Sequence, residues 1–264
     1  VAGREPVIVA APSGAAIFLA TRGTAMGEKA AARLGMAARL GILILETRFP
    51  RIPGDIGNPE TWPFPILYKT VSGASSQRVV RERGRGLIGP FLQAARELEA
   101  EGADGIATSC GFLSLFQDEL AAHVGVPVAT SSLMQIPLVE RLLPAGKRVG
   151  IITISANSLS ADHLRCAGVD PATPVAGTDD GLEFSRAILG DAPTLNFEAA
   201  RQDILDAGDR LLRNHGDIGA VVMECTNMAP YSQALAAHLQ RPVYDIVSFL
   251  TWFQAGLSPR GFAR

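Results

Sequence analysis

Two cysteines occupy equivalent places in the two halves of this chain. Gly105-Ile106-Ala107-Thr108-Ser109-Cys110 aligns with Ala220-Val221-Val222-Met223-Glu224-Cys225 at an offset of 115 residues. At the same offset Leu120-Ala121-Ala122-His123 matches Leu235-Ala236-Ala237-His238, and Pro127-Val128 matches Pro242-Val243. Each half reads strand, cysteine, helix, histidine, turn, Pro-Val strand. The carboxyl ends of parallel strands are where such sheets bind ligands. A thiol there, at the start of a helix, meets unpaired N–H groups and partial positive charge, which lower its pKa from about 8.5 toward neutrality. Such a thiol can serve as a general acid or base. Two thiols facing one cleft suit the removal of a proton from one face of a carbon and its return to the other. A single fixed base cannot do this without migrating.

The carbanion formed in that step needs donors around it. Gly111 and Phe112 follow the first thiol, Thr226 and Asn227 the second, and Ser109 and Glu224 precede them. Strand alternation is expected to turn Glu224 away, since a carboxylate beside a thiolate would raise the thiol pKa. Thr47, Arg48 and Arg51 follow the first strand. Arg48 reads either as a forked clamp for a substrate carboxylate or as a solvated surface arginine. The candidate site is therefore Cys110 and Cys225 as catalytic thiols, with Thr47, Arg48, Ser109, Gly111, Phe112, Thr226 and Asn227 around the substrate.

The plainer readings have their places. Either cysteine alone would read as an ordinary buried residue; the repeat tips the pair toward catalysis. Cys166 has no counterpart and reads as structural. His123 and His238 fall near helix C-termini, where the helix dipole favours them. No spacing suits a metal. Asn58 in Gly57-Asn58-Pro59 reads as a turn residue. Gly84-Arg85-Gly86-Leu87-Ile88-Gly89 fits GxGxxG on paper, but no strand precedes it and it gives no dinucleotide reading.

Short apolar runs must position these residues. Strands are expected at 40–46, 104–109, 126–130, 148–154, 172–176, 218–223 and 242–245. Helices are expected near 77–100, 112–123, 132–143, 157–167, 197–214, 230–239 and 246–255. A further match, Arg39 to Leu45 against Arg148 to Ile154, lies at an offset of 109. Alternating strands and helices imply right-handed βαβ units. The expected class is α/β: two pseudo-symmetric lobes, each a parallel sheet flanked by helices, with the active site in the cleft between them. The Pro- and Gly-rich segment 47–66 is too long for a simple βα connection and reads as a functional loop or lid. Segment 170–196 reads as irregular.

Composition sets the outer bounds. The chain has 264 residues, 47% hydrophobic, 19% charged, with a formal net charge of −2. That balance lacks the concentrated basic face of a nucleic-acid binder. No apolar run reaches the roughly 20 residues of a membrane span, because Val7 to Ala20 is interrupted by Pro12, Ser13 and Gly14. Three cysteines, an odd number, argue against a disulfide framework and for free thiols in a cytoplasmic setting. Residues 1–35 read as an N-terminal extension with little fold of its own.

These motifs resemble the aspartate/glutamate racemase superfamily, which includes hydantoin racemases, maleate isomerases and arylmalonate decarboxylases. The resemblance covers about residues 39–255. Ala107-Thr108-Ser109-Cys110-Gly111-Phe112 is similar to the first cysteine motif and Glu224-Cys225-Thr226-Asn227-Met228-Ala229-Pro230 to the second. Asn227 takes the place of the histidine of glutamate racemases, and Cys110-Gly111-Phe112 replaces their Cys-Asn-Thr. The stretch Gly41-Ile42-Leu43-Ile44-Leu45-Glu46-Thr47-Arg48-Phe49-Pro50 departs from their Asp-Ser-Gly opening. The resemblance implies no cofactor, a homodimer, and a last helix that returns to the first lobe. The first lobe would then comprise residues 36–135 plus 246–264, and the second 136–245. The expected function is a two-cysteine racemase or epimerase exchanging the α-proton of a small carboxylate. A maleate-type cis–trans isomerase, an arylmalonate-type decarboxylase and a non-catalytic small-molecule binding module stand as alternatives.

Overall fold

The computed structural model describes residues 8–9 and 37–261. Among these residues nine strands form two sheets. The first takes β1 (Ile8–Val9), β2 (Leu40–Leu45), β3 (Ile66–Val71), β4 (Gly105–Thr108) and β5 (Val128–Ala129) in the order β1-β3-β2-β4-β5. The second takes β6 (Arg148–Thr153), β7 (Val175–Gly177), β8 (Ile218–Met223) and β9 (Val243–Tyr244) in the order β7-β6-β8-β9. Without β1, both sheets have the same plan. The first strand lies at the centre, the second beside it, and the third and fourth follow on the other side, all parallel. The repeat in the sequence is thus a repeat in topology.

The strands read as they do because both faces are covered. β4 is buried along its whole length and β6 almost so, which is what continuous apolar runs in parallel sheets produce. Each such Leu, Ile or Val contributes about 1.5–3 kcal/mol on burial. Strand β3 escaped the sequence reading. It follows the Pro-rich segment and carries polar residues, with Lys69 exchanging ion pairs with Glu97 at 2.6 Å and Glu101 at 3.1 Å. Of the leading segment 1–35, Ile8–Val9 pairs antiparallel with Ile66 and Leu67; the rest lies outside the described residues.

The helix expected over 77–100 is two helices, Ser76–Val80 and Ile88–Ala100. Arg83, Gly84 and Gly86 between them have φ of 57°, 64° and 75°, a left-handed stretch that no α-helix can contain. The GxGxxG look-alike is thus a helix break. Helix Phe197–Asn214 keeps the expected bounds, and the irregular segment 170–196 holds β7 and a short helix, Phe184–Ile188. The last helix, Ile246–Leu257, puts Ile246, Phe249 and Leu250 into one cluster with Leu40 and Ile42 of the first sheet. No helix among the described residues is long and apolar enough to cross a membrane.

Candidate active site

The two cysteines leave their strands in the same way. Ser109 N–H donates to the Leu43 carbonyl at 2.9 Å, and Glu224 N–H donates to the Ile152 carbonyl at 2.8 Å. One residue further on, each cysteine starts a turn. Leu113 N–H returns to the Cys110 carbonyl at 3.1 Å, and Met228 N–H to that of Cys225 at 3.0 Å. Tight 3₁₀ turns follow, Gly111–Phe116 and Ala229–Tyr231. The α-helices proper begin at Gln117 and Ser232, each seven residues beyond its cysteine.

Both cysteines line one pocket at the junction of the sheets. Its walls are mostly apolar: Leu45, Phe49, Val80 and Phe112 from the first half, Ile154, Ile188 and Leu189 from the second. Polar groups enter from Arg51, Ser76, Ser109, Glu224 and Asn227. Neither thiol is in a disulfide, and Cys166 lies outside the pocket.

The electrostatics run against the expectation of lowered thiol pKa values. Burial pushes Cys110 up, the Glu224 carboxyl adds to this, and the Phe112 N–H and the Arg51 guanidinium pull the other way. Burial likewise pushes Cys225 well up, helped by Glu224, opposed by the Asn227 N–H, and raised further by Cys110 and Asp55. A short 3₁₀ turn offers less aligned dipole than an α-helix, so desolvation wins.

Glu224 does not turn away. The chain has left the ladder after Met223, so strand alternation no longer governs it. Its carboxyl is fully buried, accepts from the Thr153 hydroxyl at 2.7 Å through Oε2, and leaves Oε1 without a hydrogen-bond partner among the described residues. Burial raises it to about 7, against the Thr153 hydrogen bond. Gly111 makes room for it: a Cβ there would collide with Glu224 Oε1 and with its carbonyl oxygen. The glycine after Cys110 is fixed by an acid next to Cys225.

The long loop after β2 is an ordered scaffold. Asn58 donates to the Arg51 carbonyl at 2.8 Å and caps the turn Pro59–Thr61, as a turn residue should. Thr61 donates to the Asp55 carbonyl at 2.7 Å, and the Trp62 indole to that of Ile56 at 3.1 Å. Gly54, with φ of 94°, brings the loop against Pro230, just past the second cysteine motif. This scaffold holds Arg51 over the Phe49 ring, 4.3 Å from its centroid, with hydrogen bonds to Asp55 at 3.1 Å and Thr47 at 2.9 Å. Asp55, 2% exposed, accepts at 2.6 Å from the side-chain amide of Asn227.

The sequence candidates therefore fare differently. Ser109, Phe112 and Asn227 line the pocket with the thiols. Gly111 backs it against Glu224. Thr226 lies behind, donating to the Ser109 carbonyl at 2.6 Å, and Thr47 acts through Arg51. Arg48 is not brought in. Its side chain is 77% exposed and pairs with Asp191 at 3.0 Å on the outer side. The cation facing the cavity is Arg51; Glu224 lines it as well, and Asp55 lies behind Arg51 and Asn227. No periodicity marks Arg51 or Asp55 in a loop; the Arg-Asp spacing of four residues was the only local hint. Among the described residues no cluster suits a metal ion.

An arginine at one wall, two thiols, and N–H groups aimed at both sulfurs can bind a small carboxylate and move a proton to and from its α-carbon. A profile of the Asp/Glu/hydantoin racemase family matches residues 74–253. A dimethylsulfoniopropionate lyase of Durusdinium sp. clade D is 29% identical over 231 residues, covering 83% of this chain and 75% of that protein. The allantoin racemase from Klebsiella pneumoniae superposes with a TM-score of 0.60 at 20% identity, over 84% of this chain and 87% of that one. Arylmalonate decarboxylase superposes with a TM-score of 0.54 at 15% identity, over 85% and 94%. These two structural likenesses concern the fold.

Proposed function

The chain belongs to the Asp/Glu/hydantoin racemase family, and we propose that it is a cofactor-independent racemase or epimerase exchanging the α-proton of a small carboxylate, an amino acid or a derivative. The observation that carries this reading is the convergence of Cys110 and Cys225, from equivalent strand ends of two repeats, on one pocket. Arg51 binds the substrate carboxylate. One sulfur, as thiolate, takes the α-proton while the C–H electron pair passes into the carboxylate as an enediolate. The opposing S–H returns a proton to the other face. The pair is left with its proton exchanged, ready for the reverse turnover. Two thiols at stable, equivalent positions suit a reaction that runs both ways. A cytoplasmic homodimer is the setting we expect, with all three cysteines free.

A second reading starts from the same proton. The resemblance to the Durusdinium protein favours elimination from dimethylsulfoniopropionate, in which loss of the α-proton expels dimethyl sulfide and leaves acrylate. That reaction needs one base, and its leaving group departs neutral without a proton donor. The second thiol is therefore better used by racemisation.

The deciding experiment is proton NMR in heavy water with amino acids, hydantoins, small diacids and dimethylsulfoniopropionate. Deuterium at the α-carbon with inversion supports the racemase. Acrylate and dimethyl sulfide from the sulfonium substrate, with no exchange elsewhere, replaces it with the lyase. Carbon dioxide release or maleate turnover would defeat both.

A further inference from the structure

The repeat makes the two thiols equivalent, but the loop after β2 does not treat them equally. Of its ion pair, Arg51 lines the pocket, whereas Asp55 lies behind Asn227 and reaches the second cysteine through that side chain. The Arg51 guanidinium acts on Cys110, and the Asp55 carboxylate acts on Cys225. The hydrogen bonds repeat this polarity. Asp55 Oδ2 takes the side-chain N–H of Asn227 at 2.6 Å, which fixes the amide with its oxygen toward Cys225. The Cys225 S–H donates to that oxygen, Oδ1, at 3.6 Å. Asp55 is itself held by Arg51 at 3.1 Å and by the Gly57 N–H at 2.7 Å, both on Oδ1. Among the described residues no acceptor receives a Cys110 S–H. Each sulfur also accepts from a backbone N–H, Cys110 from Phe112 and Cys225 from Asn227.

An oriented carbonyl beside an S–H stabilises the thiol over the thiolate, and a nearby carboxylate does the same. A guanidinium does the reverse. We propose that Asp55, acting through Asn227, is a positioning residue that keeps the proton on Cys225, so that Cys110 is the base and Cys225 the acid when substrate arrives. This rests on the functional reading above only for what the two roles accomplish; the protonation order stands on the loop geometry. Glu224 raises both thiols, whereas Asp55 acts on Cys225 and Arg51 on Cys110. The remaining charged or titratable groups acting on either sulfur are Arg51, Asp55 and the opposing thiol.

The test is site-resolved alkylation of the free enzyme with iodoacetamide across pH, with Cys110 and Cys225 peptides quantified by mass spectrometry. The midpoint of each rate–pH curve, rather than its height, separates ionisation from access. Cys110 should show the lower midpoint. In Asp55→Asn the Cys225 midpoint should fall while that of Cys110 does not, narrowing the gap. Asn227→Ala, which leaves the Arg51–Asp55 pair in place, should narrow it in the same direction and serves if Asp55→Asn does not fold. A merely structural role would leave the gap unchanged. Equal midpoints in the wild type, a lower one for Cys225, or a gap that neither variant moves would overturn the proposal. Because labelling uses no substrate, a chain that shows the gap but exchanges no α-proton would refute the functional reading and leave the protonation order standing.

Discussion

Thr226 donates its hydroxyl to the Ser109 carbonyl at 2.6 Å, joining the residue after one cysteine to the residue before the other. Both are buried. The two strand ends that carry the thiols are thus tied directly. Ser132 adds to the tie, donating to the Met223 carbonyl at 2.6 Å.

Thr226→Val keeps the shape of the side chain and removes that donor. It leaves the Ser109 carbonyl buried and unpaired, which costs about 1–3 kcal/mol. The urea midpoint should fall accordingly, and turnover should fall by more than the loss of folded protein accounts for, because the thiol spacing loosens. Thr226→Ser should restore most of both. Unchanged turnover in Thr226→Val would show that the thiol spacing is set elsewhere.

Arg51 and Arg48 should separate cleanly. Arg51 faces the pocket, and Arg48 pairs with Asp191 outside it. Loss of a hydrogen bond to a charged group amounts to about 1.5–3 kcal/mol, or roughly 10- to 200-fold in kcat/KM. Arg51→Met should show that loss, mainly through KM. Arg48→Ala removes an exposed ion pair worth about 0–1 kcal/mol and should change kcat/KM by less than about threefold. The opposite ranking would assign the carboxylate to Arg48.

Glu224 makes stability depend on pH with a definite sign. Its folded pKa of about 7 lies above the ordinary carboxyl value. The native state therefore holds more protons than the unfolded chain between about pH 4.5 and 7, and stability falls as pH rises through that window. The whole effect is on the order of 3 kcal/mol. Glu224→Gln cannot titrate. Urea unfolding at pH 5 and pH 8 should show the wild type losing stability relative to Glu224→Gln on that scale. An equal difference at both pH values would mean that the carboxyl titrates as it does in water.

The parts of this molecule set by periodicity were legible in its sequence. β2 and β6, β4 and β8, and the two cysteines that end them recur at fixed offsets because each repeat must bury the same strand between the same layers. What was not legible depends on contacts distant in sequence. Arg51 and Asp55 act on the thiols only because Gly54 seats their loop on Pro230. The inward turn of Glu224 follows from the chain leaving β8 at Met223, where alternation ends. The raised thiol pKa values follow from burial at that junction and from the inward Glu224 carboxyl. Each of these is decided by the junction between the two sheets, which no local pattern encodes.

The thiols themselves give the last prediction. Cys110→Ala and Cys225→Ala each remove one partner of the pair, and each should abolish exchange with inversion. Neither should unfold the protein: at the buried Cys225 the loss of the sulfur costs about 1–2 kcal/mol, and at the half-buried Cys110 less. The urea midpoint checks that point independently of activity. Elimination behaves differently because one base suffices for it. With a substrate carrying a good leaving group at the β-carbon, Cys225→Ala should retain elimination if Cys110 is the base, and Cys110→Ala should lose it. Equal loss from both variants would make the second thiol necessary even for elimination. Full exchange activity in either alanine variant would reduce that cysteine to a spectator.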